Sequence, residues 1–204
     1  MMKKIYFITA TNTDVGKSYA SELFLRKLHN ESKKVGYFKP IETGVIDTPL
    51  DGTKLLDITK KLNPNFDISI EDIVPYQFKL AAAPFVAKQD TNIDIEYIKR
   101  KANYLLNFCD ILIIEGAGGL MVPILKDYFM IDLIKEFECK TILISPSNLG
   151  SINDTLLSIN ALKHNKIDYE WYINLYKDKD SFEEVTLPFY KEYFEEIKFL
   201  GEIN

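Results

Sequence analysis

Four short stretches of this chain carry residue types that handle phosphate and divalent cations, each at the end of an apolar run. The first is ATNTDVGKS, Ala10 to Ser18. Gly16-Lys17-Ser18 follows an apolar run and opens a helical pattern, where backbone N–H groups and the helix dipole favour an anion. Lys17 has the reach for the outer phosphates of a nucleotide, and the Ser18 hydroxyl suits Mg²⁺. The common phosphate loop has a glycine where this chain has Thr11, but Gly16, Lys17 and Ser18 still carry the N–H groups nearest the phosphates. The second stretch is KPIETG, Lys39 to Gly44, with Pro40 stiffening the exit; either it sets a cation (Lys39) and a hydroxyl (Thr43) beside that loop, or Lys39 is a solvated charge at a strand tip. The third is EGAGGLMVP, Glu115 to Pro123. An acid ending a buried strand is placed to hold Mg²⁺, directly or through water, and Gly116, Gly118 and Gly119 let backbone approach a ligand. The fourth is SPSNLGSINDT, Ser145 to Thr155, with Gly150, Ser151 and Asn153 at a helix start. That start is either a second anion-accepting end or ordinary capping by Ser or Asn. Asp47, Asp51 and Asp57 follow KPIETG; one of them is a candidate metal ligand, against the plain alternative of a solvated surface.

The elements that must position these residues alternate regularly. Apolar strand patterns cover 4–10, 33–41, 110–116, 140–146 and 169–175. Helical spacing covers 17–29, 55–62, 93–108, 129–137, 151–164 and 182–197. Residues 63–92 are dotted with Pro and Asn and read as irregular, apart from the Ala-rich LAAAPFVAK. DILIIEG and KTILISP are unbroken apolar runs of the kind buried on both faces of a parallel sheet. The expectation is an α/β fold, resembling P-loop NTPases: a single doubly wound domain over 1–204, mostly parallel, with helices on both faces. Ligands bind such folds beyond the carboxyl ends of the strands, where all four motifs fall.

Composition narrows the classes. The chain has 204 residues, 47% of them apolar, enough for a full core. No apolar run approaches the roughly 18 residues that span a bilayer, and MMKKIYFITA, interrupted by TNTD, reads as a first strand rather than a leader. A net charge of −5 argues against nucleic acid as the main partner. The two cysteines, Cys109 and Cys139, form no disulfide framework or metal spacing and read as small buried or half-buried thiols, which fits a reducing cytoplasm. His29 and His164 sit near helix ends and read as surface residues.

In this order and spacing the four motifs resemble those of dethiobiotin synthetase, an ATP-dependent carboxylase-cyclase family of biotin synthesis. That family's loop runs G-T-D-T-E-V-G-K-T, with five residues between the glycines. ATNTDVGKS is similar at each step, with Ala10 at the first position; an ordinary extended conformation is expected at Ala10. KPIETG is similar to K-P-x-x-[ST]-G, EGAGGLMVP to E-G-A-G-G, and NLGSINDT to L-G-x-I-N-H with Asp154 replacing His. INL, 173–175, matches the strand end where members place an Asn against the nucleotide base. The resemblance covers about 4–175. Beyond it, FLGEIN (199–204) stands near where members carry L-G-E-I-P, and TLPFY (186–190) is an alternative for that part. The departure predicts a base pocket that is more open and selects weakly for adenine.

The resemblance implies that 7,8-diaminononanoate, CO₂ (or bicarbonate) and ATP give dethiobiotin, ADP and phosphate. A substrate amine takes up CO₂ as a carbamate, ATP phosphorylates it to a carbamic-phosphoric anhydride, and the second amine closes the ring. It further implies Lys39 and Lys17 as catalytic residues. Thr13, Asp14, Val15, Gly16, Lys17, Ser18 and Tyr19 would contact the nucleotide, as would Glu115, Gly116, Ala117 and Gly118, with Asn174 and Leu175 at the base. Ser18, Asp51 and Glu115 would hold Mg²⁺, Asp51 being preferred to Asp57 because a small residue and a helical run follow it. Thr43 would meet the carbamate or a substrate amine. Leu149, Gly150, Ser151, Ile152 and Asn153 would meet the substrate carboxylate, contributed by the other subunit of a cytoplasmic homodimer.

Two rivals share the fold. A cobyrinate amide synthase needs a glutamine-hydrolysing domain, for which 204 residues leave no room. A partition or septum-positioning ATPase, acting as a binding switch, carries an extra loop lysine. Here Asn12, Thr13 and Asp14 occupy that part of the loop, and SFEEVTLPFYKEYFEEIKFL is acidic and mixed rather than a basic membrane helix.

Overall fold

The computed structural model describes residues 4–176 and 178–203; Asn204, the last residue of FLGEIN, lies outside them. The described chain runs β1 (Ile5–Ala10), α1 (Lys17–Asn30), β2 (Val35–Phe38), β3 (Ile41–Thr43), α2 (Leu50–Leu62), α3 (Ile70–Ile73), β4 (Tyr76–Phe78), α4 (Pro84–Ala87) and α5 (Ile95–Leu105). It continues through β5 (Ile111–Gly119), β6 (Pro123–Leu125), β7 (Tyr128–Phe129), α6 (Met130–Lys135), β8 (Cys139–Pro146), α7 (Ser151–His164), β9 (Tyr169–Asn174) and α8 (Lys179–Ser181). A π-helical turn (Phe182–Thr186), α9 (Leu187–Tyr193) and a 3₁₀ turn (Leu200–Glu202) complete it.

Five strands form one parallel sheet in the order β2-β5-β1-β8-β9. Ile111 to Ile114 of β5 and Ile142 to Ile144 of β8 are all but fully buried, which is why those runs are apolar without alternation. Successive side chains of β1 point to opposite faces. Tyr6 packs on Phe24 of α1, its ring centre 6.2 Å away, and Phe7 on Phe137 beyond α6, at 6.4 Å. Helices therefore cover both faces, as expected. The chain leaves β1 for strands on one side and later returns to the other, so a crevice opens at the carboxyl end of β1 between β5 and β8, where this fold class binds ligands. Ala10 ends β1 in extended conformation, as expected, and is not among the positive-φ residues.

Several boundaries differ from the sequence expectation. The strand expected over 33–41 breaks at Lys39-Pro40, because Pro40 offers no N–H and the Lys39 N–H bonds to Ile73 O at 3.0 Å. Ile41–Thr43 then pairs with Tyr76–Phe78 in a separate two-stranded sheet. Residues 63–92 hold α3, β4 and α4 rather than irregular chain. The helix expected over 182–197 is a π turn followed by α9 and ends before Phe194. His29 and His164 are exposed, Cys139 is buried and Cys109 half-buried, as expected.

Helix α2 begins earlier than its apolar spacing suggested, at Leu50 rather than Leu55. Its N-cap is Pro49, whose apolar ring offers no hydrogen-bond acceptor. Glu42 on β3 supplies the cap: Oε1 accepts from the Asp51 N–H at 3.1 Å and Oε2 from the Gly52 N–H at 3.0 Å. This brings Asp51 to the first turn, facing the sheet ends. Gly52 sits flat against α3, and a Cβ there would overlap the Val74 side chain. Gly52→Ala is expected to cost about 1–3 kcal/mol of stability through that overpacking, measured as a lower midpoint in urea unfolding.

Candidate functional site

Between β1 and α1 the chain turns through Asp14 (φ 56°) and Gly16 (φ 103°). Gly16 is the N-cap of α1 and makes no side-chain cap, so its turn leaves the first N–H groups of the helix for an incoming anion. A Cβ at Gly16 would run into the Asn174 side-chain amide. That amide donates to Val15 O at 2.9 Å, and Tyr176 donates to Asp14 O at 2.9 Å, so the end of β9 braces the loop from behind. Lys17 is 8% exposed, and its Nζ donates to Asn12 O at 3.1 Å. Burial, together with Lys39, lowers its pKa to about 8 against the attraction of Glu115.

The charged centre lies below the loop. Glu115, 1% exposed at the bend of β5, takes four hydrogen bonds. Its Oε1 accepts from Ser18 Oγ at 2.9 Å and from Lys39 Nζ at 2.6 Å. Its Oε2 accepts from Ser21 Oγ at 2.8 Å and from the Tyr37 hydroxyl at 3.1 Å. Lys39 Nζ also pairs with Asp51 Oδ2 at 3.2 Å. Burial pulls the Lys39 pKa down, but Glu115 and Asp51 outweigh it and hold the ammonium charged well above the ordinary lysine range. Burial likewise works against the Asp51 carboxylate, and Lys39 more than offsets it, holding that pKa below the usual range. Burial first, and Glu115 second, push the Tyr37 phenol well up, so it stays protonated and donates.

Two cavities meet at Asp14, Gly16 and Tyr19. The first, about 780 Å³, is lined by Thr13, Lys17, Ser18, Lys39, Thr43, Asp51, Glu115, Ala117 and Gly118 among others. The second, about 930 Å³, is lined by Asn174 and Leu175, by Leu187 and Lys191 of α9, and by Phe199, Gly201 and Glu202. The two segments weighed for closing over a base thus both line it. The Ile173 N–H also bonds Lys198 O at 2.8 Å, which draws the 199–202 stretch alongside β9. Several expected residues stand elsewhere. Val15 is buried and lines neither cavity, and its carbonyl accepts from Asn174. Gly116 faces the core, where a Cβ would press on Phe7 and Met130. Leu149, Gly150, Ser151, Ile152 and Asn153 line neither cavity, and Leu149 is 78% exposed. Asp51, not Asp57, lines the cavity; Asp57 is exposed on α2.

The oxygens present suit Mg²⁺. Ser18, Asp51 and Glu115 carry hard oxygen donors: Asp51 and Glu115 already pair with one cation, the Lys39 ammonium, and the Ser18 hydroxyl bonds Glu115. No three His, Cys, Asp or Glu side chains form a metal cluster among the described residues. A divalent ion here would complete its shell with water and phosphate oxygens, the usual habit of Mg²⁺.

Sequence reasoning missed Ser21, Tyr37 and Glu42. Ser21 lies one helical turn from Ser18, and Tyr37 lies two residues from Lys39 on the same strand face. Both periodicities were in the sequence, but nothing there marked a hydroxyl as a carboxylate's partner.

A family described as an AAA domain matches residues 4–179. The ATP-dependent dethiobiotin synthetase BioD of Sulfurovum sp. (strain NBC37-1) is 52% identical over 189 residues, covering 92% of this chain and 90% of that relative. The protein of the same name from Wolinella succinogenes is 42% identical, covering 93% and 89%. Among solved structures, the MinC:MinD cell division protein complex of Aquifex aeolicus superposes with a TM-score of 0.58 over 96% of this chain and 79% of that one. At 16% identity that likeness shows the fold alone.

The lowered pKa of Lys17 gives a pH test. Phosphate favours the charged lysine, and the free protein loses that charge as pH rises through about 8. Metal-free ADP affinity, followed by calorimetry, is expected to hold below pH 8 and fall from 8 to 9.5, a range set by that pKa. Lys17→Arg, always charged, is expected to remove the fall.

Proposed function

The chain belongs to the family of ATP-dependent dethiobiotin synthetases, and from that premise we propose that it carboxylates 7,8-diaminononanoate and closes the ureido ring of dethiobiotin. It is an ATP-dependent ligase that forms C–N bonds. One substrate amine adds to CO₂ and loses a proton, giving a carbamate. A carbamate oxygen attacks the γ-phosphorus of ATP and ADP leaves. The second amine then attacks the carbamoyl carbon, a C–N bond forms, and phosphate departs.

The observation that carries this reading is the position of Lys39: a buried lysine, paired with Glu115 and Asp51, on the same cavity as the phosphate loop. Phosphoryl transfer needs alignment and charge neutralisation more than covalent help. Lys17 meets the outer phosphates from the loop. Lys39, four residues from Thr43 along the cavity wall, holds the carbamate anion and shares the charge that builds on it. Thr43 offers a hydrogen bond to the carbamate or a substrate amine. Mg²⁺, held by Ser18, Asp51 and Glu115, would neutralise phosphate oxygens. The second cavity takes the base and ribose, with Asn174 and Leu175 at its inner end.

Leu149 to Asn153 line neither cavity in one chain, which supports a homodimer whose other subunit brings this helix start to the substrate carboxylate. We place the protein in the cytoplasm as one P-loop α/β domain. No described helix is long and apolar enough to cross a membrane. The septum-positioning ATPases share the fold but carry the extra loop lysine that Asn12, Thr13 and Asp14 do not supply.

Phosphate release from ATP and Mg²⁺ is expected to require both the diamine and bicarbonate, with dethiobiotin detected by mass. Release indifferent to the diamine would instead favour a switch-type ATPase. Lys39→Ala is expected to lower turnover by on the order of 10²-fold or more while leaving ADP affinity nearly intact. Equal loss of both would place Lys39 on the nucleotide rather than on the carbamate.

A further inference from the structure

The four hydrogen bonds to Glu115 divide its carboxylate into two unlike halves. A carboxylate has about four lone-pair sites, and here each is occupied. Ser18 and Lys39, the donors to Oε1, both line the cavity. Ser21 and Tyr37, the donors to Oε2, are each 0% exposed and line neither cavity. A cation arriving through the cavity can exchange with the first pair and cannot reach the second.

We propose that Tyr37 is a positioning residue for the metal centre: with Ser21 it anchors Glu115 Oε2, so that Oε1 alone is presented to the divalent cation. This rests on the reading of Glu115 as a metal ligand. The phenol is not needed to fill space, because Phe has the same ring and the surrounding core is apolar. What the hydroxyl adds is the 3.1 Å bond to Glu115. Without it, one lone pair of Oε2 is freed and the carboxylate can turn about its last bond, so a monodentate ligand loses its fixed direction. Partners of this kind, bound to the ligand rather than to the metal, typically change affinity by 10–100-fold. Tyr37 is fully buried and lines neither cavity, so its loss acts through the metal alone.

The experiment counts Mn²⁺ bound to the full chain in the presence of ADP, by electron paramagnetic resonance, for the wild type, Tyr37→Phe, Ser21→Ala and Glu115→Gln. Metal-free ADP affinity is measured by calorimetry alongside. Tyr37→Phe is expected to weaken Mn²⁺ binding about tenfold, with metal-free ADP affinity and far-UV circular dichroism unchanged. Ser21→Ala, acting on the same oxygen, is expected to do the same, and carries the test should Tyr37→Phe fold poorly. Wild-type Mn²⁺ affinity in both variants, with Glu115→Gln weakened, overturns the assignment of Tyr37 and leaves Glu115 as a ligand. Tighter Mn²⁺ binding in Tyr37→Phe also overturns it, since the freed Oε2 would then be a ligand that the phenol blocks. Undiminished binding in Glu115→Gln overturns the metal reading itself, and the assignment with it. A parallel loss of metal-free ADP affinity would mean the phenol supports the loop rather than the metal.

Discussion

The ion pair between Lys39 and Glu115 is the constraint on which the site depends. Two charges with almost no exposure cost several kcal/mol each to take out of water, and only tight geometry with every remaining valence filled recovers that cost. Here the geometry is a 2.6 Å contact; Asp51 takes a second bond from the lysine, and Ser18, Ser21 and Tyr37 fill the remaining sites of the carboxylate. These partners come from α1, β2 and the start of α2, and Glu115 itself from the bend of β5. The pair therefore fixes how four elements meet at the carboxyl end of the sheet. Its net charge, one ammonium against two carboxylates, leaves the centre ready to accept further positive charge.

A second constraint acts on the loop. Backbone that must embrace phosphate cannot be anchored from its concave side, so it is held from outside. Asn174 and Tyr176 take its carbonyls, leaving the N–H groups of the turn for the ligand. The residue expected to read the base thus also sets the shape of the phosphate site, tying the two cavities into one groove at Gly16 and Tyr19.

Much of this was legible in the sequence. ILII and TILIS gave no ambiguity, since strands buried on both faces need no alternation, and Gly16-Lys17-Ser18 after a strand has few other uses. The choice of Asp51 over Asp57 agrees with where the structure puts each side chain. The missed parts share a cause: they depend on contacts between segments rather than on local pattern. Lys39-Pro40 ends β2 because the Lys39 N–H turns to Ile73, a partner no window around Lys39 contains. The short elements of 63–92 are too brief to show a period. Helix α2 starts at Leu50 because Glu42, on another strand, caps it. Tyr37 and Ser21 looked like ordinary occupants of a strand and a helix until Glu115 was placed between them.

The bonds that close the site span long reaches of sequence. Ser18 and Glu115 are 97 residues apart, Lys39 and Glu115 76, Asn174 and Val15 159, and Tyr176 and Asp14 162. On the ribosome, where domains form as they emerge, the phosphate loop is made well before its brace. A nascent chain stopped before β9 has the lysine, the serine and even the buried acid, but no fixed turn to hold an anion. A nucleotide bound to the braced loop stabilises, by mass action, chains in which β9 is in place over those in which it is not.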